Sequence, residues 1–210
     1  MQSIRALIAV LAAVPLGAAQ KVTTGPPKLE VESGAQEGPS WDPAGWLYFV
    51  GRNRVSRLDM HGRVDVFRDD APGANGSLVD PQGLVLVCEA SARRVTRTEA
   101  AGSLTVLADS YEGNKLNSPN DLAMDSKGRI YFTDTRYGRM DNLEIKDEAG
   151  RFVEGVYRID APGKIARIIT HEVERPNGIL LSPDDRYYIC MWRTTTTTAR
   201  VARASCTGSI

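Results

Sequence analysis

One unit of sequence recurs four times in this chain with its internal spacing intact. The stretches EGPSWDPAGWLYFV from Glu37, NGSLVDPQGLVLVC from Asn75, NDLAMDSKGRIYFT from Asn120 and NGILLSPDDRYYIC from Asn177 align without a gap. Each opens on a polar residue, continues as a short apolar strand, turns, and returns as a strand rich in β-branched and aromatic residues. In the turns Asp42-Pro43-Ala44-Gly45, Asp80-Pro81-Gln82-Gly83 and Asp125-Ser126-Lys127-Gly128, Asp caps the backbone and Gly accepts a conformation that other residues resist; Pro, where present, presets φ. A second shared stretch follows in three repeats, Val55-x-Arg57-Leu58-Asp59-x-x-Gly62, Val95-x-Arg97-Thr98-Glu99-x-x-Gly102 and Val156-x-Arg158-Ile159-Asp160-x-x-Gly163, each leading into another alternating strand. The repeats begin 38, 45 and 57 residues apart, against roughly 40 to 50 for the blades of a propeller. An all-β fold, a β-propeller of about three and a half to four blades, explains this; a sandwich or barrel gives no reason for whole units to recur. The long third interval holds an insertion, residues 138–154, whose Lys146, Asp147 and Glu148 read as a solvated loop or as a lid over the channel mouth.

Successive blades copy one another around an axis, so residues at one repeat position meet at one height. The opening residues Glu37, Asn75, Asn120 and Asn177 are therefore expected to ring the mouth of a central channel. A carboxylate and several amide oxygens make a hard, oxygen-only donor set, which suits Ca²⁺ ahead of Mg²⁺ or Mn²⁺ and does not favour zinc. Asn-Gly before a strand is also a turn preference, which is the simpler reading of Asn75. Glu37 is no turn residue, yet it stands in the same column. Glu89 and the group Asp134, Arg136 and Tyr137 follow equivalent strands and are candidates for substrate contact; strand-end turns explain them equally well. Asp121, beside Asn120, is a candidate for the supporting hydrogen bonds that metal sites use to orient their ligands.

The strings EGPSWDPAG, LNSPNDLAMDSKGRIYFTD and VERPNGILLSPDDR resemble the gluconolactonase and senescence marker protein (regucalcin) family, over about Leu29 to Cys190. The resemblance implies a six-bladed propeller and metal-dependent hydrolysis of sugar lactones or related esters. It implies that Glu37, Asn120 and Asn177 bind one divalent ion. It places a fourth ligand, an Asp that also serves as base, at the start of a further repeat, beyond Ile210. The family usually reads F-T-D-P-P-Y-G where this chain reads FTDTRYG, so the pocket wall departs from the pattern. No G-x-S-x-G nucleophile elbow is present. His61 and His171 read as surface residues rather than members of a triad.

The two ends of the chain differ from the repeats. Residues 1–19 read as a secretory signal, with a cationic start at Arg5, an apolar run from Ala6 to Val14 and the small residues Gly17-Ala18-Ala19. A secreted or periplasmic protein is expected, cleaved after Ala19, with residues 20–36 as a lead-in and 37–192 as blades. No later run is long enough to span a membrane. Residues 193–210 form a Thr-rich, atypical tail in which the fourth repeat erodes, and a fragment or a shifted reading frame near Arg193 is expected. A non-catalytic binding module, its channel ion structural or absent, is the alternative to the hydrolase. Open blade edges would favour self-association, or two copies could complete one ring.

Composition narrows the partners. With 26 basic and 26 acidic residues the net charge is zero, so no long-range field draws in nucleic acid or anionic lipid, and a small molecule is the expected ligand. Cys88 and Cys190 occupy one column of non-adjacent repeats and are expected to be separate buried thiols rather than a bridge; the state of Cys206 is not legible.

Overall fold

In the computed structural model the described residues are 33–51, 53–136, 143–193 and 199–205. The signal-like segment, Tyr137 and Cys206 lie outside them.

Alternating apolar strands joined by tight turns form successive antiparallel meanders. The first blade comprises β1 (Glu37–Asp42), β2 (Trp46–Gly51), β3 (Arg54–Leu58) and β4 (Val64–Arg68). The second comprises β5 (Ala74–Val79), β6 (Val85–Glu89), β7 (Arg94–Thr98) and β8 (Leu104–Ala108). A small hairpin, β9 (Ser110–Tyr111) and β10 (Asn114–Lys115), precedes the third blade of β11 (Pro119–Met124), β12 (Ile130–Asp134), β13 (Gly155–Ala161) and β14 (Lys164–Ile169). The fourth has three described strands, β15 (Pro176–Leu181), β16 (Tyr187–Arg193) and β17 (Ala199–Ser205). In each sheet the strands pair in chain order, which is the meander of a β-propeller blade.

The turns behave as their chemistry requires. In each of five Asp-x-x-Gly turns the Asp Oδ1 accepts the N–H of the residue two positions on, as Ala44 to Asp42 (2.9 Å), His61 to Asp59, Gln82 to Asp80, Lys127 to Asp125 and Ala149 to Asp147. The Gly N–H then donates to the Asp carbonyl. The Asp147 turn lies in the insertion. Its described part is therefore a hairpin, closed by a bridge between Lys146 and Phe152.

Each apolar cluster bridges two neighbouring blades. Tyr48, Val50 and Val55 of the first pack on Val85 and Val87 of the second; Leu86, Cys88 and Leu107 pack on Leu122, Phe132 and Tyr157 of the third; Tyr131 and Val156 pack on Ile179 and Cys190 of the fourth. Among the described residues every apolar cluster spans two blades, as expected where each repeat gains its stability from stacking on a neighbour. Cys88 and Cys190 are buried in these clusters and are not bridged to one another.

Candidate functional site

The innermost strands share an irregularity that the repeat does not announce. The ladder slips between Glu37 and Ser40 in β1, Ala74 and Ser77 in β5, Pro119 and Leu122 in β11, and Pro176 and Ile179 in β15. A bulge breaks the pairing and re-aims the side chains it carries. Here it falls on the column of Glu37, Asn75, Asn120 and Asn177, whose residues all line one open cavity of about 280 Å³.

Adjacent blades come very close at this height. A Cβ on Gly76 would lie 2.7 Å from the Asn120 carbonyl oxygen, the Asp121 Cα and the Asp121 Oδ1; one on Gly38, at φ +56°, would lie 2.6 Å from the Ser77 nitrogen. Hydrogen bonds clip the blades at the same level. Ser77 Oγ donates to the Gly38 carbonyl, and Val79 N–H donates to Ser40 Oγ at 2.8 Å. Thr133 Oγ1 donates to the Asn177 carbonyl at 2.7 Å, and Ile179 N–H donates to Asp121 Oδ2 at 3.0 Å. None of Asn75, Asn120 and Asn177 has a positive φ. The turn preference of Asn-Gly therefore does not explain the column: Gly76 serves close blade contact, and the Asn side chains remain to be accounted for.

Among the described residues the cavity lining contains two carboxylates (Glu37, Asp121), three amides (Asn75, Asn120, Asn177) and the Ser77 hydroxyl, and no basic side chain. The two carboxylates feel one another. Burial raises the Asp121 carboxyl above its usual range, with the charge of Glu37 adding to the rise, while the N–H groups of Ile179 and Leu122 oppose it. Among the described residues, the Glu37 carboxylate has no ion-pair partner, and the amide of Asn120, a residue only 5% exposed, makes no side-chain hydrogen bond. Buried amides ordinarily find partners. A pocket of negative charge lined by the Glu37 carboxylate and the amides of Asn120 and Asn177 fits a hard divalent cation. No cluster of three or more His, Cys, Asp or Glu side chains poised for a metal occurs among the described residues, so any cation here depends on the amides.

The structure does not bring Glu89, Asp134 or Arg136 to this wall. Glu89 is fully buried; its Oε1 takes Arg68 Nη2 (2.5 Å) and Thr96 Oγ1 (2.7 Å), and its Oε2 takes Arg94 Nε (2.7 Å). This carboxylate ties the outer strand of the first blade to the second. Asp134 is also fully buried and accepts backbone N–H groups, as described below. Arg136 pairs with Glu154 at 2.9 Å and lines a separate cleft with Phe152, Glu154 and His171. Asp121 does line the cavity, and its supporting bond goes to the next blade rather than to its own turn. His61 is exposed in its turn, and His171 Nε2 lies 2.8 Å from Asp147 Oδ2, so neither imidazole reaches the cavity lining.

Fold and cavity together define a β-propeller with an acidic, oxygen-lined channel site. The chain belongs to the family described as SMP-30/Gluconolactonase/LRE-like region, which matches residues 35–209. It is 36% identical over 115 residues to a gluconolactonase of Zymomonas mobilis, covering 54% of this chain and 32% of that protein. It is 31% identical over 153 residues to the adipocyte plasma membrane-associated protein of Mus musculus, covering 67% of this chain and 35% of that one. The structure of a gluconolactonase from Xanthomonas campestris superposes with a TM-score of 0.70 at 28% identity, covering 84% of this chain and 60% of that chain. The matched region thus spans about a third of the length of these curated relatives.

Proposed function

We propose that this chain carries the cation-binding part of a divalent-metal-dependent hydrolase acting on sugar lactones or related esters. The observation that supports the reading is the convergence of Glu37, Asn75, Asn120 and Asn177 on one acidic cavity with no basic residue among its described lining, in a chain of the gluconolactonase-like family. Glu37, Asn120 and Asn177 would hold the ion, Ca²⁺ ahead of Mg²⁺ or Mn²⁺. Bound there, a divalent cation supplies polarisation of an ester carbonyl and stabilises charge on its oxygen.

The chain's own residues do the rest. Glu37 contributes the uncompensated charge that selects a cation. Asn75 offers an amide to a substrate hydroxyl on the same wall. Asp121 and Thr133 lock the third inner strand to the fourth, which fixes the spacing of Asn120 and Asn177. A cavity of about 280 Å³ suits a molecule of one small ring.

A binding module is the second reading, and one observation favours it. Of the two cavity carboxylates, Asp121 is committed to the Ile179 N–H, which leaves no uncommitted carboxylate beside Glu37 among the described lining residues to act as base. Export completes the proposal: the mature chain begins at Gln20, which N-terminal sequencing of exported protein checks. Calorimetry with Ca²⁺ and a pH-stat assay with a gluconolactone separate the two readings. Saturable Ca²⁺ binding with turnover supports the hydrolase, binding without turnover supports the module with a structural ion, and absence of Ca²⁺ binding sinks the calcium-dependent hydrolase and leaves the module without an ion.

A further inference from the structure

Asp134 is buried at 0% exposure and, among the described residues, has no cation in hydrogen-bond contact. Its Oδ2 accepts the Asn117 N–H at 2.8 Å and its Oδ1 accepts the Ser118 N–H at 2.8 Å. Both donors belong to the segment that enters β11, and Pro119, the next residue, is the ladder partner of Asp134 itself. Past Pro119 the ladder breaks, and Asn120 and Asp121 swing to the cavity.

The rest of the lead-in is held from other sides. Asn117 Nδ2 donates to the Val153 carbonyl at 2.8 Å, Leu116 N–H donates to the Asp109 carbonyl at 3.1 Å, and Arg93 Nε donates to the Leu116 carbonyl. Asp134 grips its last two N–H groups before the bulge. At the same ladder position of the second blade Glu89 pairs with Ala74, yet its carboxylate grips arginines instead. The lead-in to Asn75 is held by Asn53, whose Oδ1 accepts the Gly73 N–H at 2.9 Å. A side-chain acceptor ahead of the bulge is thus used twice, an exposed amide for the second blade and a fully buried carboxylate in the third.

Resting on the cation reading above, we propose that Asp134 is a positioning residue for the channel site: by clamping Asn117 and Ser118 it fixes where the bulge delivers Asn120. The clamp needs both oxygens as acceptors, and protonation turns one into a donor. Burial raises the Asp134 carboxyl to about 7, opposed by the Asn117 and Ser118 N–H groups and the Arg93 charge, with Glu154 adding to the rise. The other titratable groups coupled to it are Tyr157 and Cys88.

Amide-exchange protection and Ca²⁺ calorimetry on the whole chain test the clamp, comparing the wild type with Asp134→Asn between pH 6 and 8.5. At pH 8.5, Asp134→Asn should lower protection of residues 117–121 about tenfold, with β2 and β6 unchanged, and weaken Ca²⁺ about tenfold, the scale of one charge-assisted bond lost. The wild type should lose the same protection as the pH falls below about 7, and the variant should show no such step. Unchanged protection at 117–121 in the variant overturns the proposal, as does lowered protection with unaltered Ca²⁺ affinity. Should Asp134→Asn not fold, the wild-type pH series decides alone, and a flat series overturns the clamp. A wild type that binds no Ca²⁺ at any pH refutes the cation reading instead, and the protection data still decide whether Asp134 holds Asn120.

Discussion

Each inner hairpin has two ends, and their polar side chains lead opposite lives. At the turn end, Asp125 has both oxygens engaged: Oδ1 accepts Lys127 N–H at 3.0 Å and Arg129 N–H at 2.9 Å, and Oδ2 pairs with Arg129 Nε at 2.6 Å. At the channel end, Glu37 has no ion-pair partner and the Asn120 amide no hydrogen bond among the described residues. Polar groups that the chain satisfies itself serve the fold, because unmade hydrogen bonds in buried sites are expensive. Glu37 is exposed and its carboxylate meets solvent, whereas the buried Asn120 amide, left uncommitted among the described residues, is open to a partner the chain does not supply.

Exchanging losses between the two ends breaks this comparison most sharply. Glu37→Gln should weaken Ca²⁺ binding by about a hundredfold, through loss of the unpaired cavity charge, and leave the melting temperature unchanged. Asp125→Ala should do the reverse, costing about 2–4 kcal/mol of stability by stranding a buried network, with its carboxylate side chain 1% exposed, while Ca²⁺ affinity holds. Calorimetry and denaturant titration on both variants check the pair. Loss of stability in Glu37→Gln equal to that in Asp125→Ala would erase the distinction.

Two glycines sharpen it further. Gly76→Ala pushes a methyl into the Asn120 carbonyl and the Asp121 backbone, so it should cost about 2–3 kcal/mol and weaken Ca²⁺ together. Gly83→Ala meets open space at φ +79° and should cost about 1 kcal/mol with the cavity unaffected.

Asp134 gives a carboxylate at the channel end that the chain does satisfy. Its folded value, about 7, lies above that of an unfolded Asp. The native state therefore holds a proton longer, and the stability this group contributes falls as the pH rises from about 4 to about 7. Asp134→Asn should flatten that part of the stability-versus-pH curve in thermal melts. The smallest effect belongs to Asn75→Ala, which should change Ca²⁺ affinity by less than about threefold, since three other cavity residues hold the ion in this account; KM for a lactone is its sensitive readout.

The hairpins were legible because their turn chemistry is local: Asp, Gly and the alternating strands lie within a few residues of one another. The column of Glu37, Asn75, Asn120 and Asn177 was legible because a repeat carries positions across distance. The bulge at that column was not, because a slip in the ladder is a property of strand pairing rather than of residue type. For Glu89 and Asp134 the sequence left substrate contact and a strand-end role equally open, because burial and partners decide such cases, and Arg68 is 21 residues away from Glu89 in the chain. The Asp147–Gly150 turn did carry a signal in the insertion, the same Asp-x-x-Gly found elsewhere. The role of Gly76 could not be read, since the backbone it approaches belongs to the next blade.

Crystals of this chain soaked in Ca²⁺, with the anomalous signal collected at long wavelength, address the cavity directly. One peak should appear about 2.3–2.6 Å from a Glu37 carboxylate oxygen and from the side-chain oxygens of Asn120 and Asn177. A peak elsewhere, or an empty cavity at saturating Ca²⁺, would contradict the account.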